Sequence, residues 1–417
     1  MKKVVLLIVL LLPSLFCRGI YYPSLMGELM EIDGIYYLIQ PNYELGTGYG
    51  YACIPELPDG VKVLADYEGD ITIRDSVYYE GTYYPVISIY PYAFCGFSNL
   101  RSVVIPSTVK TMGKLAFYHC RKLSHVVISD GITTIENGTF SYSGIKSVDL
   151  PQSVTTIKDA AFSYCDSLVT VQWPENITEM GQQVFQRCKN LTTVILPAHL
   201  KIIRNEAFDG CTSLSTVVLP AELSAIHSRS FRGCSSLTSI EWPENLETIG
   251  SEAFSSTSLT SLRLPDHVNY ISSGAFDCPI KTAVLGTGLR WMAPNIFGTG
   301  AALTDLYCCA ETPPQLEPSY DGARYSLFSS DLQKRVVLHV PASAIDLYKT
   351  DRMWKDFATI LPINDIPDGI SEMDANPLQT SNLSSDDVNY YDLQGRRLTG
   401  KPAKGIYIQN GRKIIAK

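Results

Sequence analysis

The residues with the greatest chemical reactivity in this sequence are its eleven cysteines and six histidines. No C-x-x-C motif occurs, so neither a zinc site nor a redox dithiol is indicated. Cysteines that stack at one repeat position would have parallel Cα–Cβ directions, which suits a disulfide poorly. We therefore interpret them as small buried hydrophobic residues. Five occupy one recurring position, three residues after a repeated phenylalanine: Cys120, Cys165, Cys188, Cys211 and Cys234.

The histidines show no pattern that indicates a metal ligand or a catalytic base. No two of them have the H-x-x-x-H spacing of a metal site, and His227 lies at a variable position where a solvated surface residue is expected. The sequence also has no G-x-S-x-G motif, phosphate-binding loop or EF-hand loop. We predict no catalytic residues, no cofactor and no metal. Catalytic residues distant from one another in sequence, in one of the flanking segments, are the remaining enzymatic alternative.

Composition limits the class of partner. The chain has 417 residues, a net charge of −8, a pI near 5.4 and a mean hydropathy of +0.04. An acidic chain without a basic run is a poor match for nucleic acid or for anionic lipid, because both need a cationic face. The composition therefore favours a folded protein with another kind of partner.

The first 19 residues have the form of an export signal. Lys2 and Lys3 precede the nine apolar residues 4–12, a stretch too short to span a bilayer. Cys17 would be the acylated residue of a lipoprotein, but the bulky Phe16 stands before it where lipoprotein signals have a small residue. We favour ordinary secretory cleavage, with lipidation as the alternative.

A repeat of 21 to 23 residues organises most of the chain. It contains an L-x-x-(I/V)-x-(L/W)-P stretch whose alternation predicts a strand with one face in the core, and proline then ends the strand. The segment around the phenylalanine predicts a tight turn or a short 3₁₀ piece. Units this small bury their apolar face only by stacking, which predicts a solenoid. The repeated phenylalanines are Phe94, Phe117, Phe140, Phe162, Phe185, Phe208, Phe231, Phe254, Phe276 and Phe297.

The repeat resembles that of the BspA-like leucine-rich-repeat surface proteins of Bacteroides-type bacteria. The stretches I-G-S-E-A-F at residues 249–254 and C-S-S-L at 234–237 match its I-G-x-x-A-F-x-x-C-x-x-L pattern. The resemblance covers residues 87–310. It implies a β-rich leucine-rich-repeat solenoid of the α/β horseshoe class, about ten repeats long, exported to the cell surface or secreted, with an adhesin-like role.

The predicted domains follow from this organisation. Residues 1–19 form the signal peptide, and the predicted solenoid spans 87–304 between an N-terminal cap at 20–86 and a C-terminal cap at 305–364. Residues 365–385 have the composition of a linker. Residues 386–417 resemble a type IX secretion sorting domain, with a hairpin predicted around Asn410-Gly411. A terminal hairpin with no address function is the alternative.

The predicted binding site lies on the outward face of the repeated strands, which we call the strand face. Two rows of side chains point outward there, and stacked units about 4.8 Å apart would make a broad, shallow surface. One row is mostly serine and threonine, whereas the other contains apolar residues on neighbouring repeats, which often mark partner sites. A protein partner is predicted there, with host matrix and another bacterial surface as the candidates. The alternative is a glycan-binding accessory role, although Trp173 and Trp242 fall at inward positions. The predicted central residues are Gln172, Ile195, Val218 and Glu241.

Overall fold

The computed structural model describes residues 28–33, 35–42, 47–53, 68–174, 176–320 and 324–365, together with four short strands near the C-terminus. The predicted signal peptide at 1–19 and nearly all of the predicted linker lie outside these residues. Parallel strands stack into a β-solenoid of about twelve turns with little helix. The predicted fold class is therefore confirmed.

Antiparallel strands precede the solenoid. Glu28–Ile32, Ile35–Asn42 and Thr47–Cys53 form a meander, and Thr47–Cys53 then pairs in parallel with Thr82–Ile89. Ser76–Tyr79 forms a hairpin with the same long strand. Since Thr82–Ile89 also pairs with the first short strand of the solenoid, the antiparallel segment and the repeats share one sheet. The predicted boundary between residues 86 and 87 falls inside this shared strand and stays a prediction.

All but one of the turns between residues 69 and 362 contribute a regular strand to the strand face, and the exception is the turn of Glu241. The strands pair in parallel, in register with the repeat, and the L-x-x-I-x-I alternation turns the Leu and Ile side chains inward. Neighbouring strands join into separate short sheets, with breaks in between. The strands of this series are Gly69–Thr72, Leu100–Ile105, His125–Ile128, Ser147–Asp149, Thr170–Gln172, Thr193–Ile195, Thr216–Val218, Ser261–Arg263, Thr282–Leu285, Asp305–Cys308, Val337–Val340 and Thr359–Pro362.

A second series of two-residue strands forms another side of the solenoid. It follows the strand position of the first series in each turn, after a proline in most turns and after Ser129 or Gly286 in others, and its second residue is buried in every turn. These strands are Thr111–Met112, Thr134–Ile135, Thr156–Ile157, Glu179–Met180, Ile202–Ile203, Ala225–Ile226, Thr248–Ile249, Tyr270–Ile271, Trp291–Met292 and Gln315–Leu316.

The core is a ladder of stacked phenylalanine rings. From Phe94 to Phe276 neighbouring rings are nearly parallel, with centroids 5.0–5.7 Å apart and interplanar angles of 2–13°. Each ring lies in a turn rather than in a 3₁₀ helix. From Phe94 to Phe254 the residues two before and two after the ring adopt left-handed backbone conformations, as Leu115 (φ 58°) and His119 (φ 61°) do around Phe117. Because this geometry recurs, side chains at one repeat position form a row along the solenoid.

Two short helices and a 3₁₀ turn close the C-terminal end. Ser330–Arg335 begins at Ser329, whose hydroxyl accepts a hydrogen bond from the Leu332 amide at 3.3 Å. Ala342–Ala344 is the 3₁₀ turn, and Ile345–Thr350 follows it. The indole of Trp354 is buried and donates to the Pro314 carbonyl at 2.7 Å. These elements cover apolar core that the last turns would otherwise expose.

The C-terminal tail contains four described strands: Tyr390–Tyr391, Arg397–Leu398, Gly405–Gln409 and Arg412–Ala416. Gly405–Gln409 and Arg412–Ala416 pair antiparallel, as the hairpin prediction requires. A role as a sorting signal stays a prediction. Among the described residues, no helix is both long and apolar enough to cross a bilayer.

Candidate binding face

Two of the predicted site residues lie side by side in paired strands. Thr193–Ile195 and Thr216–Val218 are parallel neighbours, and Ile195 is the Cα partner of Val218. Their inward neighbours Val194 and Val217 are buried, whereas Ile195 and Val218 are half-buried on the outward side. The structure therefore places two aliphatic side chains in register on the strand face.

The other two predicted residues lie on the flanking turns. Gln172 is exposed and pairs with Asp149 on the preceding turn. No strand pairing joins Gln172 to Ile195, because the strands divide into separate sheets at that point. Glu241 is also exposed, but its turn has no regular strand at this position. Of the four predicted residues, Ile195 and Val218 are thus the two joined by strand pairing, and Gln172 and Glu241 lie on the turns on either side of them.

The outward apolar row does not continue unchanged along the solenoid. Val104 and Val127 form a second in-register pair, and Val127 is 40% exposed. Val284, which the alternation places outward, is instead only 3% exposed. It packs with Tyr307, Cys309 and Ile363 in a separate apolar cluster. Residues after the repeats cover Val284, so an outward position in the alternation does not ensure exposure.

Aromatic side chains of the repeated strands turn inward, as their positions predict. The ring of Trp173 stands perpendicular to Phe185 with centroids 5.6 Å apart, and Trp242 meets Phe254 edge-on at 5.1 Å. The Trp173 indole N–H is buried and has no hydrogen-bond partner among the described residues. From Ser147–Asp149 to Ser261–Arg263, the described strands of this series offer no outward aromatic ring.

A polar depression lies beyond the proline that ends the strand Thr193–Ile195. Its lining includes His199, Lys201 and Glu222. His199 Nδ1 and Glu222 Oε1 are 3.1 Å apart, and both side chains are largely exposed. Exposed ion pairs contribute little to stability. His199 is hydrogen-bonded to the Glu222 carboxylate rather than to a hydroxyl or thiol among the described residues, so the depression has no arrangement that indicates catalysis.

His227 differs from its predicted environment. It is half-buried rather than fully solvated. Burial lowers the pKa of its imidazole, and the positive charge of Arg204 lowers it further. The neutral form is therefore favoured at neutral pH. In the part of the chain that the structure describes, no three His, Cys, Asp or Glu residues are grouped so that they could hold a metal ion.

The cysteine row is buried, as predicted, and it also makes specific hydrogen bonds. Each thiol donates to the carbonyl of the phenylalanine one turn earlier. Cys211 Sγ lies 3.0 Å from the Phe185 carbonyl oxygen, and the other four distances are 3.0–3.2 Å. Burial raises the pKa of the Cys120 thiol to about 12, so the thiol is protonated and unreactive at neutral pH. Cys95 lies outside this row and is disulfide-bonded. It does not occupy the repeated cysteine position, and the sequence did not indicate this disulfide.

A charged network that sequence reasoning missed lies beside the phenylalanine ladder. Arg232 donates to both carboxylate oxygens of Asp209, at 2.8 and 3.1 Å, and the Asp209 side chain is only 7% exposed. Arg229 bonds Glu252 at 3.0 Å. This ion pair lowers the pKa of the Glu252 carboxyl, and a weaker hydrogen bond from Arg232 lowers it further. The partners are 23 residues apart, so the repeat period was the signal that could have found them.

The family match to known proteins lies in the repeats. The sequence matches the family described as "BspA type Leucine rich repeat region" in six copies over residues 84–192 and 178–304. A leucine-rich repeat protein from Bacteroides ovatus is 25% identical with a TM-score of 0.57, over 76% of this chain and 80% of that one. A leucine-rich repeat protein from T. pallidum is 26% identical with a TM-score of 0.43, over 50% and 91%. A leucine-rich cell surface protein from Faecalibacterium prausnitzii is 20% identical with a TM-score of 0.39, over 82% and 96%. No curated protein matches the chain.

Proposed function

Because the chain belongs to the BspA-type leucine-rich-repeat family, as its repeats predicted, we propose that it is an exported, adhesin-like interaction protein. It binds a protein partner through the strand face. Gln172, Ile195, Val218 and Glu241 form the contact region, with the two aliphatic residues at its centre. Proteins of this repeat class are generally non-enzymatic binding scaffolds.

The observation that carries this proposal is the Ile195–Val218 pair. Both side chains point out of a sheet whose inward residues already fill the core, so packing within the chain does not require them to be apolar. Strand propensity favours β-branched residues at such positions, but a partner surface makes direct use of them. The polar Gln172 and Glu241 on either side give the arrangement of an interface, with an apolar centre and a polar rim.

A protein fits this surface better than a glycan does. Glycan recognition on the strand face would be favoured by outward aromatic rings, whereas Trp173 and Trp242 point into the core. The paired strands are open and shallow, which suits a broad contact rather than a deep small-molecule pocket.

Export is part of the proposal. The family consists of surface proteins, and the basic and apolar residues at positions 2–12 have the pattern of a secretion signal. The hairpin of Gly405–Gln409 and Arg412–Ala416 lies in the segment that resembles a sorting domain. We propose that the chain acts at the cell surface or outside the cell.

The test is binding of the purified full chain to collagen, laminin, fibronectin and whole bacterial cells, with Ile195→Lys/Val218→Lys as the test variant. Val104→Lys/Val127→Lys is the matched control, because it places the same charges on another in-register pair of the same row. Saturable binding should weaken more than about tenfold in the test variant, since central apolar contacts dominate interfaces. The control should bind normally. Equal circular dichroism spectra and melting temperatures would establish that both variants fold. Unchanged binding in the test variant, or equal loss in both, would refute the assignment.

A further inference from the structure

A half-buried aromatic stack crosses three turns of the solenoid, away from the strand face. His119, Tyr142 and Tyr164 each lie two residues after a ladder phenylalanine. The His119 and Tyr142 rings are parallel with centroids 4.4 Å apart, and Tyr142 and Tyr164 repeat this geometry at 4.4 Å. The core does not need these rings, because the phenylalanine ladder already fills it.

Arginines stand at both ends of this stack. At one end Arg121 is close enough to His119 that its charge lowers the pKa of the imidazole, after the larger effect of burial. At the other end the Arg187 guanidinium lies over the Tyr164 ring, 5.8 Å from its centroid. The stack thus has one cation near His119 and another over the Tyr164 ring.

Two lysines add charge in the same turns. Lys122 donates to Asn99 on the preceding turn at 2.9 Å, and Lys146 is exposed one turn further on. Arg121, Lys122, Lys146 and Arg187 form no ion pair with any residue that the structure describes. We call these four residues the basic edge. They lie on three of four consecutive turns, with none on the turn of Phe162, so they span roughly 14 Å at the spacing of parallel strands.

The turns that carry Arg121 and Lys146 approach each other closely at Gly144. Gly144 takes the place between Ser143 and the buried Ile145 in a turn that is one residue shorter than its neighbours. A Cβ atom at Gly144 would lie 2.3 Å from the Arg121 carbonyl oxygen. The close approach of these two turns therefore requires glycine, and no side chain stands there between Arg121 and Lys146.

We propose that the basic edge and its aromatic stack bind a linear anionic polysaccharide. Sulfate or carboxylate groups of the polysaccharide pair with the four cations, and its sugar rings and hydroxyls lie along the tyrosines. Charge complementarity supports this occupant, because the four cations are unpaired on a chain whose net charge is −8. This surface is separate from the Ile195–Val218 pair and does not depend on the function proposed for it.

An acidic peptide is the other polyanion to consider, and the backbone disfavours it. Extended peptides commonly dock by adding a strand to a free sheet edge. Here the Arg121 amide donates to the His119 carbonyl at 3.0 Å, and the Arg187 amide donates to the Asp209 carbonyl at 2.7 Å. The Lys146 carbonyl already accepts from the Val169 amide at 3.0 Å. Side-chain recognition along the edge fits a polysaccharide better.

The experiment measures binding of the full chain to a heparin-derived oligosaccharide, to its desulfated form and to poly-glutamate. Wild type should bind the sulfated oligosaccharide with an affinity that falls as salt increases. Arg121→Ser/Lys122→Ser/Lys146→Ser should weaken binding about tenfold, since each exposed pair contributes up to about 1 kcal/mol. The matched control is Lys201→Ser/Lys281→Ser/Arg290→Ser, which removes the same charge from exposed positions on later turns. It should change the affinity less than about twofold, because charges beyond a Debye length are screened.

A second variant separates ring contacts from charge. Tyr142→Ala leaves the net charge unchanged and should weaken binding of the sulfated oligosaccharide, with folding checked by circular dichroism. Ile195→Lys/Val218→Lys should keep oligosaccharide binding, which distinguishes this site from the strand face. The proposal is overturned if wild type does not bind the sulfated oligosaccharide, if both triple variants lose equal affinity, or if poly-glutamate binds as tightly.

Discussion

Phe208 allows a quantitative test of the phenylalanine ladder. Its ring is fully buried and stacks between Phe185 at 5.5 Å and Phe231 at 5.2 Å. Replacing a buried phenylalanine with alanine costs about 3–5 kcal/mol through lost transfer energy and the cavity left behind. We expect Phe208→Ala to lower the free energy of unfolding by an amount in this range.

Phe297 is the matched control for this substitution. It is also buried, but it ends the ladder and meets only Phe276 among the described phenylalanines, tilted by 35° at 6.5 Å. Phe208→Ala removes two stacked contacts, whereas Phe297→Ala removes one poorly stacked contact. Because an aromatic pair contributes about 0.5–1.5 kcal/mol beyond burial, Phe208→Ala should cost about 1 kcal/mol more than Phe297→Ala.

Urea unfolding of the two variants measures both quantities, and hydrogen exchange locates the effect. Solenoid stability is a sum of turn and neighbour terms, so Phe208→Ala should increase exchange in the turns of Phe185 and Phe231 before distant ones. A loss below about 1 kcal/mol, or equal losses in both variants, would show that the ladder does not hold the turns together as argued.

Three further predictions follow from single contacts. Arg232→Ala should destabilise the fold by about 2–3 kcal/mol, because the buried Asp209 carboxylate loses its cationic partner and keeps only the 3.3 Å hydrogen bond from Gln186. Arg101→Ala, which breaks an exposed ion pair, should cost under about 1 kcal/mol in the same denaturation assay; equal costs would contradict this reasoning. The raised pKa of Cys120, about 12 against an ordinary 9, means that the unfolded chain loses the thiol proton first as pH rises. The stability that the buried protonated thiol contributes is therefore complete below pH 9 and is lost as the pH rises toward 12. Cys120→Ala should accordingly flatten the pH dependence of the melting temperature between these values. Gly250→Ala should destabilise by about 1–3 kcal/mol, because the new Cβ would meet backbone of the preceding turn at 2.5 Å; an unchanged melting temperature would refute that.

The sequence alone was enough to predict the solenoid and its core. The period of the phenylalanines sets one ring per turn, and small repeats can bury such rings only against their neighbours. The same period identified Ile195 and Val218 as outward residues of adjacent turns. It also indicated a buried cysteine row, although not the bonds from each thiol to a phenylalanine carbonyl.

Only the tertiary structure decided which outward residues are free and which residues meet across turns. Val284 obeys the alternation but is covered by Tyr307 and Ile363, because segments outside the repeat fold back over it. The pairing of Arg232 with Asp209, and the stack of His119 on Tyr142, depend on how closely consecutive turns approach. Periodicity gives the direction of a side chain from its own backbone, whereas contacts between turns depend on the spacing and packing of the folded chain.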